Sequence, residues 1–245
     1  MEPRLVRHGL VDSTNERAFA ELAAGRARHG DVHVAEGQTA GRGRRGNAWA
    51  SARGEGLYLS LVLLPAKPPR ATALTMAAGL ALLECVHALG AAAARLKWPN
   101  DVLAPDERGR AAKLAGILVE ARGFDPARLH AVVGVGLNVR QREFPPELEA
   151  ERAVTSLMRL GHEVALEEAL TRLVEHMAAR LELACAAPER IADEYAQALG
   201  LLGRAVRVRL AHEEVRGTLG ALSLDGLALD DRRIALEHVQ ALESA

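Results

Sequence analysis

Gly41-Arg42-Gly43-Arg44-Arg45-Gly46, closely followed by Trp49 and Ser51 and then by the run Gly56-Leu57-Tyr58-Leu59-Ser60-Leu61-Val62-Leu63-Leu64, decides between two folds. The glycines satisfy the spacing G-x-G-x-x-G, but a dinucleotide fingerprint sits between a strand and a helix, with an acidic residue about 20 positions further on. Here the next segment is rich in large apolar and aromatic residues and short enough for a buried strand, so the glycines belong to a loop between two strands and the dinucleotide reading fails. Such a loop can turn consecutive N–H groups toward one point, and its guanidinium groups grip phosphate oxygens in a bidentate fork. A phosphate ester or nucleotide suits that chemistry. A solvated basic loop, or an arginine-glycine segment that binds nucleic acid, would carry the same residues.

Composition narrows the choice. With 245 residues, the chain is long enough for one large domain, alone or with a small one beside it, and 49% hydrophobic residues mark it as globular. A net charge of −1 supplies no general attraction to polyanions, so a basic loop must act locally. Cys85 and Cys185 stand in Ala- and Leu-rich contexts without C-x-x-C spacing, which predicts two small buried thiols in a reducing compartment. The charged N-terminus, with Glu2, Arg4, Arg7 and His8, resembles neither a signal peptide nor a membrane span, and the expectation is a cytoplasmic protein that touches no membrane. The nine histidines show no ligand spacing, so no structural metal is expected.

Along the chain, Ser13 and Glu16 have the spacing of a capping box and predict a helix through about Arg26. Residues 31–35 read as a strand entering the glycine loop, 65–70 as a proline-rich turn, and 71–89 as a long core helix ended by Gly90. Residues 94–103 read as one strand bent at Pro99, then 105–110 as a turn, 112–120 as the returning strand, 123–128 as another turn and 131–139 as a further strand. From Pro146 the pattern is helical, with helices expected over 166–187 and 188–199. Past Gly200 it breaks into short alternating runs between 204 and 235, a small all-β module. The expected division is 1–200 and 201–245.

Strict alternation on the returning strand would put Lys113 in one row with Ala115, Ile117 and Val119, opposite Leu114, Gly116 and Leu118. A lysine heading an apolar row needs an anionic partner, which a ligand can supply, or else an exposed edge. On the next strand Gly134, Gly136 and Asn138 share a face, a bare floor that fits a flat ligand or a close-packed helix. Trp49 and Trp98 each adjoin a polar cluster, where an indole either joins the core or covers a ring.

Taken in order, five segments resemble the biotin protein ligases: Asp12-Ser13-Thr14-Asn15; Gln38-Thr39-Ala40 running into the glycine loop with Trp49 and Ser51; Lys97-Trp98-Pro99-Asn100-Asp101; Lys113-Leu114-Ala115-Gly116-Ile117-Leu118-Val119-Glu120; and Gly134-Val135-Gly136-Leu137-Asn138-Val139. The resemblance covers residues 4–140, with 203–242 similar to that family's C-terminal module. It implies an α+β fold with a mixed, largely antiparallel central sheet and flanking helices, of the class II synthetase-like type, plus a small SH3-like β-barrel. It implies two steps: ATP activates biotin as biotinyl-5′-adenylate, and a lysine of a biotin carboxyl carrier domain, as in acetyl-CoA carboxylase, takes the acyl group. By the same resemblance Lys113 and Arg44 act at the reacting centre. Ser13, Thr14, Asn15, Gln38, Arg42, Gly43, Arg44, Lys113 and Gly116 bind biotin or frame its pocket, while Arg42, Arg44, Trp49, Asn100, Asp101 and Asn138 bind the nucleotide, with Mg²⁺ near Asp101.

Asn47 stands where that family often has a further basic residue. The chain begins about four residues before the resembling core, so the expectation is a monofunctional enzyme that binds no DNA. Lipoate and octanoate ligases of the same fold resemble the arginine-glycine loop less well, and a nucleic-acid-binding module leaves Lys113 and Asn100 without a role. Exposed sheet edges leave room for a homodimer.

Overall fold

A computed structural model describes residues 2–65, 69–125 and 128–245, without the side chains of 123–125, 128 and 129. Its main sheet runs, in chain order, through β1 (Arg4–Val11), β2 (Asp31–Gln38), β3 (Gly56–Leu63), β4 (Arg95–Lys97), β5 (Asp101–Pro105), β6 (Ala111–Asp125) and β7 (Arg128–Asn138). Spatially the order is β1-β2-β3-β7-β6-β5-β4; β1 and β2 are parallel and every other pairing is antiparallel.

Two faces of unequal character result. Leu57, Leu59, Leu61 and Leu63 on β3, with Val133, Val135 and Leu137 on β7, meet the main core formed by α2 (Ala71–Ala88), α4 (Leu166–Ala186) and α5 (Pro188–Leu199). A short α3 (Pro146–Glu151) precedes α4. The length and apolarity of α2 are those of a membrane span, yet most of its residues are buried, as in a core helix. The opposite face is covered only in part. There α1 (Thr14–Ala23) packs Phe19 and Leu22 on Val62 and Val132, and Trp49 of the glycine loop lies over Gly136. The site forms in this divided layer.

A second sheet, with order β11-β10-β9-β8-β12, comprises β8 (Ala205–Arg209), β9 (Glu214–Leu222), β10 (Gly226–Leu229), β11 (Arg232–Ala235) and β12 (Ala241–Ser244), all antiparallel. Its apolar residues, Val206, Val208, Leu219, Leu227 and Leu242 among them, join the main core in one continuous cluster.

Three expectations change, one open alternative is settled and one strand appears that was not expected. Residues 94–103 form a hairpin, β4 and β5, because the polar turn at 98–100 reverses the chain instead of bending it. Ser13 starts α1 with an extended backbone, but its side chain makes no cap bond, and the Glu16 carboxylate is drawn to Arg122 and Arg42. Cys185 is half-buried, not buried, while Cys85 is enclosed and its thiol pushed up to about 12 by burial. Trp98 belongs to the core, edge-on to Tyr195. The first strand, β1, is invisible to an alternation argument because it is an edge with mostly half-buried or exposed side chains. The turns expected over 65–70 and 123–128 lie partly outside the described residues.

Candidate functional site

The strand β7 sets the scale of the cleft. Alternate residues face the divided layer at steps of about 7 Å: Val132 lies under Phe19, Gly134 under Asn15 and Gly136 under the Trp49 indole. A methyl group on Gly134 would stand 2.4 Å from Asn15 Oδ1, and one on Gly136 2.3 Å from the Trp49 ring. The glycine floor thus admits a helix terminus and an indole, and both occupants border the cleft.

At the helix end, Gln38 Oε1 accepts hydrogen bonds from the Thr14 amide (2.8 Å) and hydroxyl (3.2 Å), while Gln38 Nε2 donates to Ser51 Oγ at 2.8 Å. Ser60 Oγ lies within hydrogen-bond reach of Thr14 Oγ1 and Asn15 Oδ1. Asn15 Nδ2 donates to Glu120 Oε2 at 2.8 Å. Thr14, Asn15 and Gln38 are therefore held by the protein and serve as the pocket wall. Ser13 Oγ makes no helix-capping bond and borders the cleft.

Lys113 reaches this face through a β-bulge. It pairs with Leu103 and Ala115 pairs with Val102, so Leu114 is an extra residue on β6. The extra residue shifts the alternation by one position. Leu114 and Ala115 both enter the core, and Lys113 emerges on the Gly116 side, contrary to the strict alternation expected from sequence. Its backbone is strapped by Ala153 and Thr155 through hydrogen bonds of 2.9 and 3.0 Å. Its Nζ stands 2.7 Å from Asp101 Oδ1 and 5.2 Å from the Trp49 ring centroid.

The glycine loop folds back on itself, with Gly43 N donating to Asn47 O and Trp49 N to Gly41 O. This carries Arg42, Arg44 and Arg45 into the cleft lining. Arg42 pairs with Glu16 and with Glu120 (3.0 Å). Arg44 donates to Asn100 Oδ1 at 3.3 Å, and burial together with the neighbouring Arg45 pushes its pKa below the usual guanidinium value. It is a cation with too little anion around it, which suits it to a ligand's charge. Trp49 Nε1 is buried, has no hydrogen-bond partner among the described residues and offers one more donor. Asn100 is anchored by Nδ2 to Ile117 O at 2.8 Å.

The cleft encloses about 280 Å³, and all thirteen residues expected from sequence border it. They differ in how they do so. Asn138 donates to Thr155 O at 2.9 Å and receives Gln141 Nε2 at 3.3 Å, so its amide holds the strap behind Lys113 and is not turned to a ligand. Sequence reasoning missed Glu120, Arg122 and Ser60, which secure the wall from behind, and Arg209, Gln240 and Glu243, contributed to the lining by the second sheet. Glu120 closes a quoted segment and was legible as a charge on an apolar strand. The second-sheet residues carry no local signal. Among the described residues no group of three metal-ligating side chains exists. The two lining carboxylates, Asp101 and Glu243, are each paired with a lysine, which fits Mg²⁺ carried on phosphates better than a metal held by the protein alone.

A mixed sheet with one divided face, a wall of polar side chains and a cationic loop beside a strand lysine make a cleft suited to an anionic ligand, and the chain belongs to the Biotin/lipoate A/B protein ligase family, whose pattern it matches over residues 9–138. Relatives of the chain within that family include biotin ligases. It is 41% identical over 205 residues to the biotin--[acetyl-CoA-carboxylase] ligase of Mycobacterium tuberculosis, covering 81% of this chain and 71% of that one. It is 37% identical over 175 residues to the bifunctional ligase/repressor BirA of Salmonella typhimurium, covering 71% of this chain; the matched part spans about half (52%) of that relative. The Aquifex aeolicus biotin protein ligase solved with biotin and ATP superposes with a TM-score of 0.78 at 28% identity, covering 99% of each chain.

Proposed function

We propose that the protein joins biotin to a lysine of a biotin carboxyl carrier domain, as a biotin--[biotin carboxyl carrier protein] ligase. A biotin carboxylate oxygen attacks the α-phosphorus of ATP and pyrophosphate leaves. The lysine amine of the acceptor then attacks the acyl carbon, AMP leaves and the amine's proton is lost to solvent. The observation that carries this reading is the convergence of Lys113, Arg44 and Arg42 on one cleft beside the Trp49 indole.

Two anions approach each other in the first step, so fixed positive charge is the main requirement. Lys113 Nζ, released from Asp101 by the acid's carboxylate, neutralises the nucleophile and the bridging oxygen. Arg44 and Arg42 take the phosphate oxygens. Ser13 and the Trp49 indole N–H supply donors, and the glycine loop shields the mixed anhydride from water. Mg²⁺, arriving with ATP beside Asp101, would supply further charge neutralisation on the phosphates.

The nucleic-acid reading is disfavoured because it leaves Lys113, half-buried beside Asp101, and Asn100, anchored to Ile117, without a role. We place the protein in the cytoplasm, consistent with its unpaired thiols, with residues 201–245 as an SH3-like module and a homodimer through a sheet edge as a testable assembly. The deciding experiment is ATP–pyrophosphate exchange with biotin or lipoate, in the unaltered protein and in Lys113→Ala. Biotin-dependent exchange that falls by about 10²-fold or more in the variant is expected. Exchange with lipoate alone, or with neither acid, would sink the reading.

A further inference from the structure

Glu120 divides one carboxylate between two parts of the cleft. It lies on β6 facing the divided layer, with its side chain only 17% exposed. Oε2 accepts the hydrogen bond of Asn15 Nδ2 at 2.8 Å, while Oε1 stands 3.0 Å from Arg42 Nη2. Asn15 belongs to the α1 end of the pocket wall, and Arg42 to the glycine loop. We propose that Glu120 is a positioning residue that locks the loop cation Arg42 to the wall residue Asn15, so that the adenylate is retained only while both contacts hold. This rests on the adenylate-forming reading above.

The rest of the cluster shows why Glu120 is not interchangeable with its neighbour. Glu16 takes Arg42 Nη1 and receives Arg122 through both guanidinium nitrogens, at 2.6 and 3.0 Å, while Arg122 itself lies over the Phe19 ring. Arg42 is thus gripped at Nη1 from α1 and at Nη2 from β6. Two carboxylates on two different nitrogens fix the plane of the guanidinium, where one would leave it free to turn. Asn15 has its Oδ1 committed to Ser60 and wedged over Gly134, so its Nδ2 points to Glu120 in a single orientation. A solvated surface ion pair would have neither the burial nor the second, neutral contact.

Glu120→Gln separates the two contacts. An amide oxygen still accepts from Asn15, but its NH₂ then faces Arg42, donor against donor. After confirming biotin-dependent exchange in the unaltered protein, the lifetime of enzyme-bound radiolabelled biotinyl-adenylate is measured after rapid desalting. The expected result is a KM for biotin within about twofold of the original and an adenylate lost about five- to tenfold faster, the effect of one charge-assisted contact. Because Glu120 acts through Arg42, the double variant Glu120→Gln/Arg42→Gln should lose adenylate no faster than Arg42→Gln alone. Arg42→Lys, whose single nitrogen cannot serve both carboxylates, provides the same reading if Glu120→Gln does not fold, and should also shorten the lifetime. Unchanged retention in Glu120→Gln or Arg42→Lys, or additive losses in the double variant, overturns this proposal alone. Absence of exchange in the unaltered protein overturns it together with the proposed function.

Discussion

Gly136 has no side chain because the Trp49 indole occupies the space a methyl group would need, 2.3 Å away. The residue type is dictated by a neighbour 87 positions distant in the chain and not by any turn. Gly136→Ala should therefore expel the indole, lower stability by about 1–3 kcal/mol through overpacking, and weaken binding in the cleft. Trp49 would become more accessible, readable as increased acrylamide quenching of tryptophan emission and a lower unfolding midpoint. Unchanged quenching and midpoint would show that the indole does not rest on this glycine. At the same scale, Lys113 shows what alternation alone cannot supply. Its chemistry was legible as a cation needing an anion, but its direction depends on the bulge at Leu114, which exists only because β5 pairs with it in a shifted register.

Among the elements, the β1–β2 pair carries a titratable device in its packing. His33 is fully buried beneath α1, its ring stacked on that of His8 with 3.1 Å between Nδ1 and His8 Nε2. Burial, followed by the charge of His8, lowers its pKa to about 4; Asp31 and Glu21 oppose the shift and Arg4 adds to it. Burial and Arg17 lower the His8 pKa as well. A histidine that stays neutral when folded but takes up a proton when unfolded adds stability above about pH 6.5, and that stability is lost as pH falls toward 4. For His33 alone the loss is of order 3 kcal/mol. His33→Gln should flatten the fall in unfolding midpoint between pH 6.5 and 4. A parallel fall in both proteins would mean that carboxylates elsewhere cause the acid lability. The edge strand β1 itself was not legible, because its exposed Leu5 and Leu10 break the apolar pattern and only pairing with β2 makes it a strand.

Across the whole molecule, one apolar cluster runs through the main sheet, its helices and the second sheet. Trp98 stands at the joint: its ring meets Tyr195 of α5, and its Nε1 donates to Val239 O at 3.3 Å, just before β12. Lys97 beside it pairs with Glu243 at 3.1 Å. Trp98→Ala should cost about 3–5 kcal/mol, with the protein still unfolding in one denaturant transition, because the second sheet shares one apolar cluster with the main core. Two separated transitions in the unaltered protein would contradict this. The small module is thus packed into the fold as well as bordering the cleft through Arg209, Gln240 and Glu243.

By itself the sequence determined thirteen residues that border the cleft and most of the elements that hold them. Glycine spacing, a strand lysine, period-two alternation and helix-ending glycines are local signals, and local steric and hydrogen-bonding rules read them directly. Tertiary structure alone decided that Lys113 faces the cleft, that Asn15 and Asn138 spend their amides on the protein, that 94–103 is a hairpin, and that Glu120 joins wall to loop. Each of these depends on register or on contact between distant segments, and the energy that selects a register is shared among partners no single stretch of chain contains.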